Sequence, residues 1–161
     1  VYKVGDKILY PTHGAGIIQE ITRQKVLGNM KSYYIMHMPP DGMKVMIPVD
    51  TCDEIGIRFI ISKEEGAGVL KRFRSEPIMQ SENWNKRHRE NMAKICSGDI
   101  YQVLGVVKYL MYMEKKKGLS TSERKMLNDA RQIFVSELVM TEVAGRDDIE
   151  SIMEDTIEEL L

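Results

Sequence analysis

The stretch Asn83-Trp84-Asn85-Lys86-Arg87-His88-Arg89 places the only tryptophan of the chain beside three cations. Cations take phosphates and an indole packs on or between bases, so this combination at a helix tip suits nucleic acid. At about 100° per residue, Met92, Ile95 and Cys96 share one helix face with His88, while Lys86, Arg87 and Lys94 fall on the other. Trp84 lies at the border, in the first turn if Ser81 is the cap. The same position also suits a tryptophan that anchors the helix to a bundle. Charge distribution favours the nucleic-acid reading. Lys and Arg number 11 against 10 Asp and Glu over residues 1–82, 11 against 5 over 83–131, and 1 against 9 over 132–161. Positive charge is thus concentrated in the middle helices, where Arg124, Lys125 and Arg131 extend the patch begun by Lys86, Arg87 and Arg89. Lys115 to Lys117 read as a solvated helix end.

The remaining motifs supply no catalytic pattern. His13, His37 and His88 are scattered, with no HExxH and no Cys-x-x-Cys, and each reads as a surface or partly buried histidine. His13-Gly14-Ala15-Gly16 lacks the Gly-Lys-Ser/Thr ending of a phosphate loop and precedes a strand instead of a helix, so its glycines are expected to permit a tight bend. Most of the 12 methionines, such as Met92, Met111 and Met126, fall at core periodicity and read as packing. Two cysteines, Cys52 and Cys96, fit a reduced cytoplasm and form no zinc site by themselves.

These residues must be held by two kinds of element. KILYP, GAGIIQEI, SYYIMHM and MKVMIPV are short β-branched or aromatic runs separated by turn signals at Gly5-Asp6, Pro11 to Gly16, Gly28-Asn29 and Asp41-Gly42. The spacing predicts four or five strands in residues 1–60 with no helical stretch, and a type I′ hairpin turn at Asp41-Gly42. From Ser62 the period changes to about 3.6. Helices are expected at about 63–74 and 82–96, with Pro77 in the loop between them. A further helix carries Ile100, Val103, Leu104, Val107, Leu110 and Met111 and ends before Gly118. The next starts at the capping box Ser120/Glu123 and buries Met126, Leu127, Ala130, Ile133, Phe134 and Leu138. The last, at about 147–160 with Asp147 as cap, is expected to pack Ile149, Ile152, Met153, Ile157 and Leu160 on the bundle and to keep its acidic surface away from DNA. The chain therefore reads as α+β in two domains. Residues 1–60 form a small SH3-like or Tudor-like β-barrel, and residues 62–161 form a compact all-α bundle.

A chain of 161 residues with 43% hydrophobic and 29% charged residues has enough apolar material for a core, and its formal charge of −1 fits neither an acidic tail nor a histone-like protein. Its longest apolar run, Val103 to Met113, is interrupted by Lys108 and falls short of the roughly 20 residues of a membrane span. The charged opening VYKVGDKILY does not fit a secretory signal.

Lys3-Val4-Gly5-Asp6, Tyr10-Pro11, His13-Gly14 with Gly16, and Met43 to Pro48 resemble the amino-terminal domain of the bacterial CarD/CdnL transcription regulators. Asn83-Trp84, Ser97-Gly98-Asp99, Gly118-Leu119-Ser120, Glu123 to Leu127 and Ala130-Arg131-Gln132-Ile133 extend the resemblance to nearly the whole chain. That extent separates it from the transcription-repair coupling factor, which resembles the family in the first domain only. The resemblance implies a Tudor-like domain that docks on the β subunit of RNA polymerase through Arg23, Gln24, Lys25, Lys44, Met46 and Ile47. It implies a helical domain that contacts promoter DNA without sequence specificity at the upstream edge of the transcription bubble, Trp84 being the minor-groove wedge and Lys86, Arg87 and Arg89 holding the backbone. Some relatives carry arginine in place of Gln24 and Met46, so the polymerase contact here is expected to be less electrostatic. The expected product is a cytoplasmic, nucleoid-associated monomer that stabilises the open promoter complex, with no cofactor, metal, membrane or small-molecule substrate. The rival reading is a module for RNA or ribosome that stacks single-stranded bases on Tyr33 and Tyr34.

Overall fold

The structure, a computed structural model, describes residues 1–39, 41–78 and 83–161. Strands β1 (Lys7–Tyr10), β2 (Gly14–Val26), β3 (Asn29–Met38), β4 (Met43–Pro48) and β5 (Arg58–Phe59) form one antiparallel sheet in the order β4-β3-β2-β1-β5. The fold is α+β, an N-terminal sheet followed by helices.

Between β4 and β5 lie a short 3-10 turn, Val49–Thr51, and helix α1 (Cys52–Ile55), so the first 60 residues are not free of helix as the strand pattern suggested. Four residues are too few for a periodic stripe, which is why these turns are silent in the sequence. Their role is to bring Cys52 and Ile57 onto the inner face of the sheet, where they join Tyr2, Ile8, Ile18, Tyr34, Met36, Met38 and Ile47 in one core.

The type I′ turn is also elsewhere than expected. Leu27 and Gly28 have φ of 50° and 84° and connect β2 to β3 between the paired residues Val26 and Asn29. Positive φ at both central positions is what a two-residue I′ turn requires. Asp41-Gly42 does sit between β3 and β4, but the strands last pair at Met38 and Met43, leaving a longer loop, and of the two only Gly42 has positive φ.

The helical half holds α2 (Lys63–Ser75), α3 (Trp84–Cys96), α4 (Ile100–Lys117), α5 (Thr121–Met140) and α6 (Arg146–Leu160). Ser62, Asn83, Asp99 and Ser120 cap the first four, each accepting a hydrogen bond from a first-turn amide. The expected cap Ser81 lies outside the described residues. At α6 the cap is Gly145, and Asp147 sits inside the first turn, where its charge favours the helix dipole. The expected faces of α4 and α5 are buried as read, and Ile149, Met153 and Ile157 dock α6 on the bundle core, while Leu160 is exposed.

On α3 the face assignment is corrected. Asn91 and Ile95 are buried, whereas Met92 and Cys96 are exposed. Hydrophobicity pulled the expected stripe toward Met92, but the buried line runs through Arg87, Asn91 and Ile95 at spacings of four.

Alternation along β1 explains how the halves meet. Ile8 faces the core of the sheet and Leu9 faces the bundle, joined there by Ala15 of β2. Close approach on this side is what Gly14 allows. A Cβ on it would lie 2.8 Å from Ser136 Oγ of α5, and the Ala15 amide donates to that same oxygen at 3.0 Å. The expected bend is thus also a docking notch for α5. Arg58 then completes the joint. Its guanidinium donates to both carboxylate oxygens of Glu137 at 2.7 and 2.8 Å and to the Gly98 carbonyl at 2.9 Å, while the Ile61 amide donates to Glu137 at 2.9 Å. Pro11 packs between Gly56 and Gly98, one from each half.

Lys108, the charge inside the apolar run, is only 2% exposed. Its ammonium donates to the carbonyls of Arg74 and Glu76 at 3.3 and 2.6 Å, closing the C-terminus of α2, and lies 5.6 Å from the centre of the Phe73 ring. Lys108→Met is expected to cost about 1–3 kcal/mol at neutral pH by leaving those carbonyls unpaired. Burial pushes the Lys108 pKa below the ordinary lysine value, with Glu76 opposing. The folded protein therefore sheds this proton at lower pH than the unfolded chain, and the contribution to stability grows as pH rises through that alkaline interval. The gap between wild type and Lys108→Met in urea unfolding should widen there, and a constant gap would refute the burial effect.

Candidate nucleic-acid and protein interfaces

Trp84 opens α3 and is 45% exposed. The Asn83 cap fixes this turn by accepting from the Lys86 amide at 3.0 Å. One turn on, the His88 ring stacks on the indole with centroids 5.0 Å apart and planes 18° from parallel. Lys86 and Arg89 are exposed on the same helix, and Lys86 is only loosely drawn to Glu90 at 3.9 Å.

Arg87 behaves differently. Its side chain is 16% exposed, points to the bundle, pairs with Glu123 of α5 at 3.9 Å and lies 5.9 Å from the centre of the Tyr109 ring. It ties the first turn of α3 to the first turn of α5. Burial pushes the Tyr109 phenol pKa up, with Arg87 opposing. Through this tie Arg124, exposed and next to Glu123, comes to the same end of the bundle as Trp84. Lys125 is paired with Asp129 at 3.0 Å, and Arg131, two turns further along α5, with Glu154 of α6 at 3.1 Å. The seven expected cationic and aromatic positions therefore separate into five exposed ones, Trp84, Lys86, Arg89, Arg124 and Lys125, of which Lys86 and Lys125 each lie near an acid of their own helix, and two, Arg87 and Arg131, that are tied to acids of other helices.

The six positions expected on the sheet separate by face. Directly paired residues share a face, so Gln24, Lys44 and Met46 stand on the outer one with Glu20, Tyr33 and Ile35. Arg23, Lys25 and Ile47 stand on the other, where Ile47 is fully buried. Ile47 has no exposed surface and belongs to the core, while β4 itself ends the sheet order and so leaves one edge unpaired among the described residues. Beyond the Tyr33–Pro48 pair no third strand among the described residues pairs with residues 23–32, and this ribbon exposes Arg23, Lys25, Lys31, Met30 and, at its tip, Leu27.

Tyr34 cannot stack a base. It is buried in the sheet core, edge-on to Tyr2, and its hydroxyl accepts from the Tyr2 amide at 3.1 Å. Among the described residues no His, Cys, Asp and Glu cluster is placed to hold a metal ion, and no helix is long and apolar enough to cross a membrane.

His88 beneath Trp84 and Glu123 opposite Arg87 were not singled out from the sequence. The spacing of four between Trp84 and His88 is a visible signal for the first. Nothing local signals the second.

An exposed indole among cations and an open sheet edge are surfaces of the kind that meet macromolecular partners. Two family models match the chain, the CarD-like/TRCF RID domain over residues 2–61 and the CarD C-terminal domain over residues 68–154. A protein of Bacillus subtilis (strain 168) named as a transcription factor, YdeB, is 35% identical over 141 residues, covering 86% of this chain and 90% of the relative. The chain belongs to the CarD family, and its work lies in transcription regulation.

Proposed function

We propose that the sheet domain docks on the β subunit of RNA polymerase and that the helical domain stabilises the open promoter complex through nonspecific DNA contacts. The observation that carries this reading is the exposed Trp84 standing with Lys86, Arg89 and Arg124 at one end of the bundle. The outer face of Gln24, Lys44 and Met46, with the free edge of β4, is the polymerase-facing surface, adding a strand to the sheet or packing on its face.

Three or so phosphate contacts hold DNA weakly and in a salt-dependent way, so the basic patch needs recruitment. Docking on polymerase supplies it by presenting the patch at high effective concentration. The wedge then favours unstacked over closed DNA, shifting the melting equilibrium by the difference in its affinity for the two.

The test is the salt dependence of binding to a duplex with a preformed bubble. Charge reversal of Lys86 and Arg89 is expected to lower the log–log slope by about 2, near 0.9 per lost contact. An unchanged slope places the DNA surface elsewhere. Copurification of polymerase with the full chain, lost on charge reversal of Lys44 and substitution of Met46 by glutamate, tests the other face. The RNA reading loses its stacking pair with Tyr34 buried, and tighter binding to single-stranded RNA than to the bubble would revive it.

A further inference from the structure

We propose that His88 is a positioning residue for Trp84, its imidazole serving as a flat platform that holds the indole in the orientation needed to enter a base step. The inference rests on the wedge reading of Trp84.

The two rings are stacked at 5.0 Å and 18°. His88 is half-buried, whereas Trp84, at the first position of α3, is exposed. The imidazole Nδ1 is buried and has no hydrogen-bond partner among the described residues. Nothing polar at that atom accounts for the ring being held there, and a buried polar atom without a partner is a cost. What the ring does supply is surface. It lies against one face of an indole that keeps 45% of its residue's surface exposed.

An unsupported tryptophan at a helix end samples several rotamers and loses that freedom on insertion. Stacking removes part of this cost before DNA arrives. The anchoring of the platform itself comes from the bundle side of α3, where Arg87 is tied to Glu123 and Asn91 and Ile95 are buried.

The single tryptophan makes the idea measurable without DNA. In free His88→Ala, the fluorescence anisotropy of Trp84 is expected to fall, while His88→Phe, which keeps a ring, retains it. With polymerase and promoter, His88→Ala should shorten open-complex lifetime roughly three- to tenfold, and His88→Phe should restore it. His88→Gln keeps polarity without a ring and should match the alanine variant. It also serves if His88→Ala fails to fold, which circular dichroism reports.

Unchanged anisotropy and lifetime in both His88→Ala and His88→Gln would overturn the platform, and so would a phenylalanine variant as impaired as alanine. Trp84→Ala in the same lifetime assay judges the wedge separately. If that variant has no effect, the wedge reading fails, and the anisotropy of the His88 variants still decides whether the stack holds the indole.

Discussion

Trp84→Ala is expected to leave polymerase binding intact and to shorten the lifetime of the open promoter complex by roughly tenfold, reaching a hundredfold if the indole stacks fully on an unpaired base. The side chain is 45% exposed and belongs to no core cluster, so its loss should hardly change folding stability. All of its value, on the proposed reading, is realised in the complex. An indole between partly unstacked base pairs gains surface that closed duplex does not offer, and that difference is what holds the bubble open. The measurement is dissociation of preformed open complexes after challenge with a polyanionic competitor, alongside copurification with polymerase. A folded variant with wild-type lifetime removes the wedge from the mechanism.

The second large effect concerns the joint. Glu137→Ala is expected to lower stability by about 2–4 kcal/mol, because it removes the carboxylate that pairs with the Arg58 guanidinium and accepts from the Ile61 amide. Glu137 is 1% exposed but the Arg58 side chain is 32% exposed, so water recovers part of the loss, which keeps the figure below that of a fully buried pair. For a chain of this size the melting temperature should fall by roughly 5–15 °C. A double-mutant cycle with Arg58→Ala separates the pair from its surroundings, and a coupling near zero would show that packing alone joins the halves. If the joint transmits docking to the wedge, a Glu137 variant held below its melting point should still copurify with polymerase yet give shorter-lived open complexes.

The same contrast shows what a sequence discloses. Stripes such as Val103, Val107 and Leu110 on α4, or Leu127, Ala130 and Phe134 on α5, are local and periodic, and they are buried as read. The Asn83-Trp84 helix start is local too. Arg87 was harder, because its direction depends on Glu123 and Tyr109, which belong to other helices. Glu137 was harder still. Its position on the buried stripe of α5 marks an acid that needs a partner, but Arg58 is 79 residues away and only the closed fold reveals it. The Gly28-Asn29 signal marks the connection between β2 and β3 one residue late, and its I′ type is hidden because leucine rarely takes positive φ, while Asp41-Gly42 has the right composition at the wrong loop length.

Helix α5 carries Glu123 and Arg124 in its first turn and Ser136 and Glu137 near its last, against the sheet. At about 1.5 Å per residue, roughly 20 Å of continuous helix separates the two ends. On the proposed reading the molecule is a caliper. One jaw rests on polymerase and the other meets DNA at an offset set by helix length, so the promoter position is measured as a distance and not read as letters. Adding one residue to the middle of α5 would turn the far jaw by about 100° and misaim it, although every contact residue would remain in the chain.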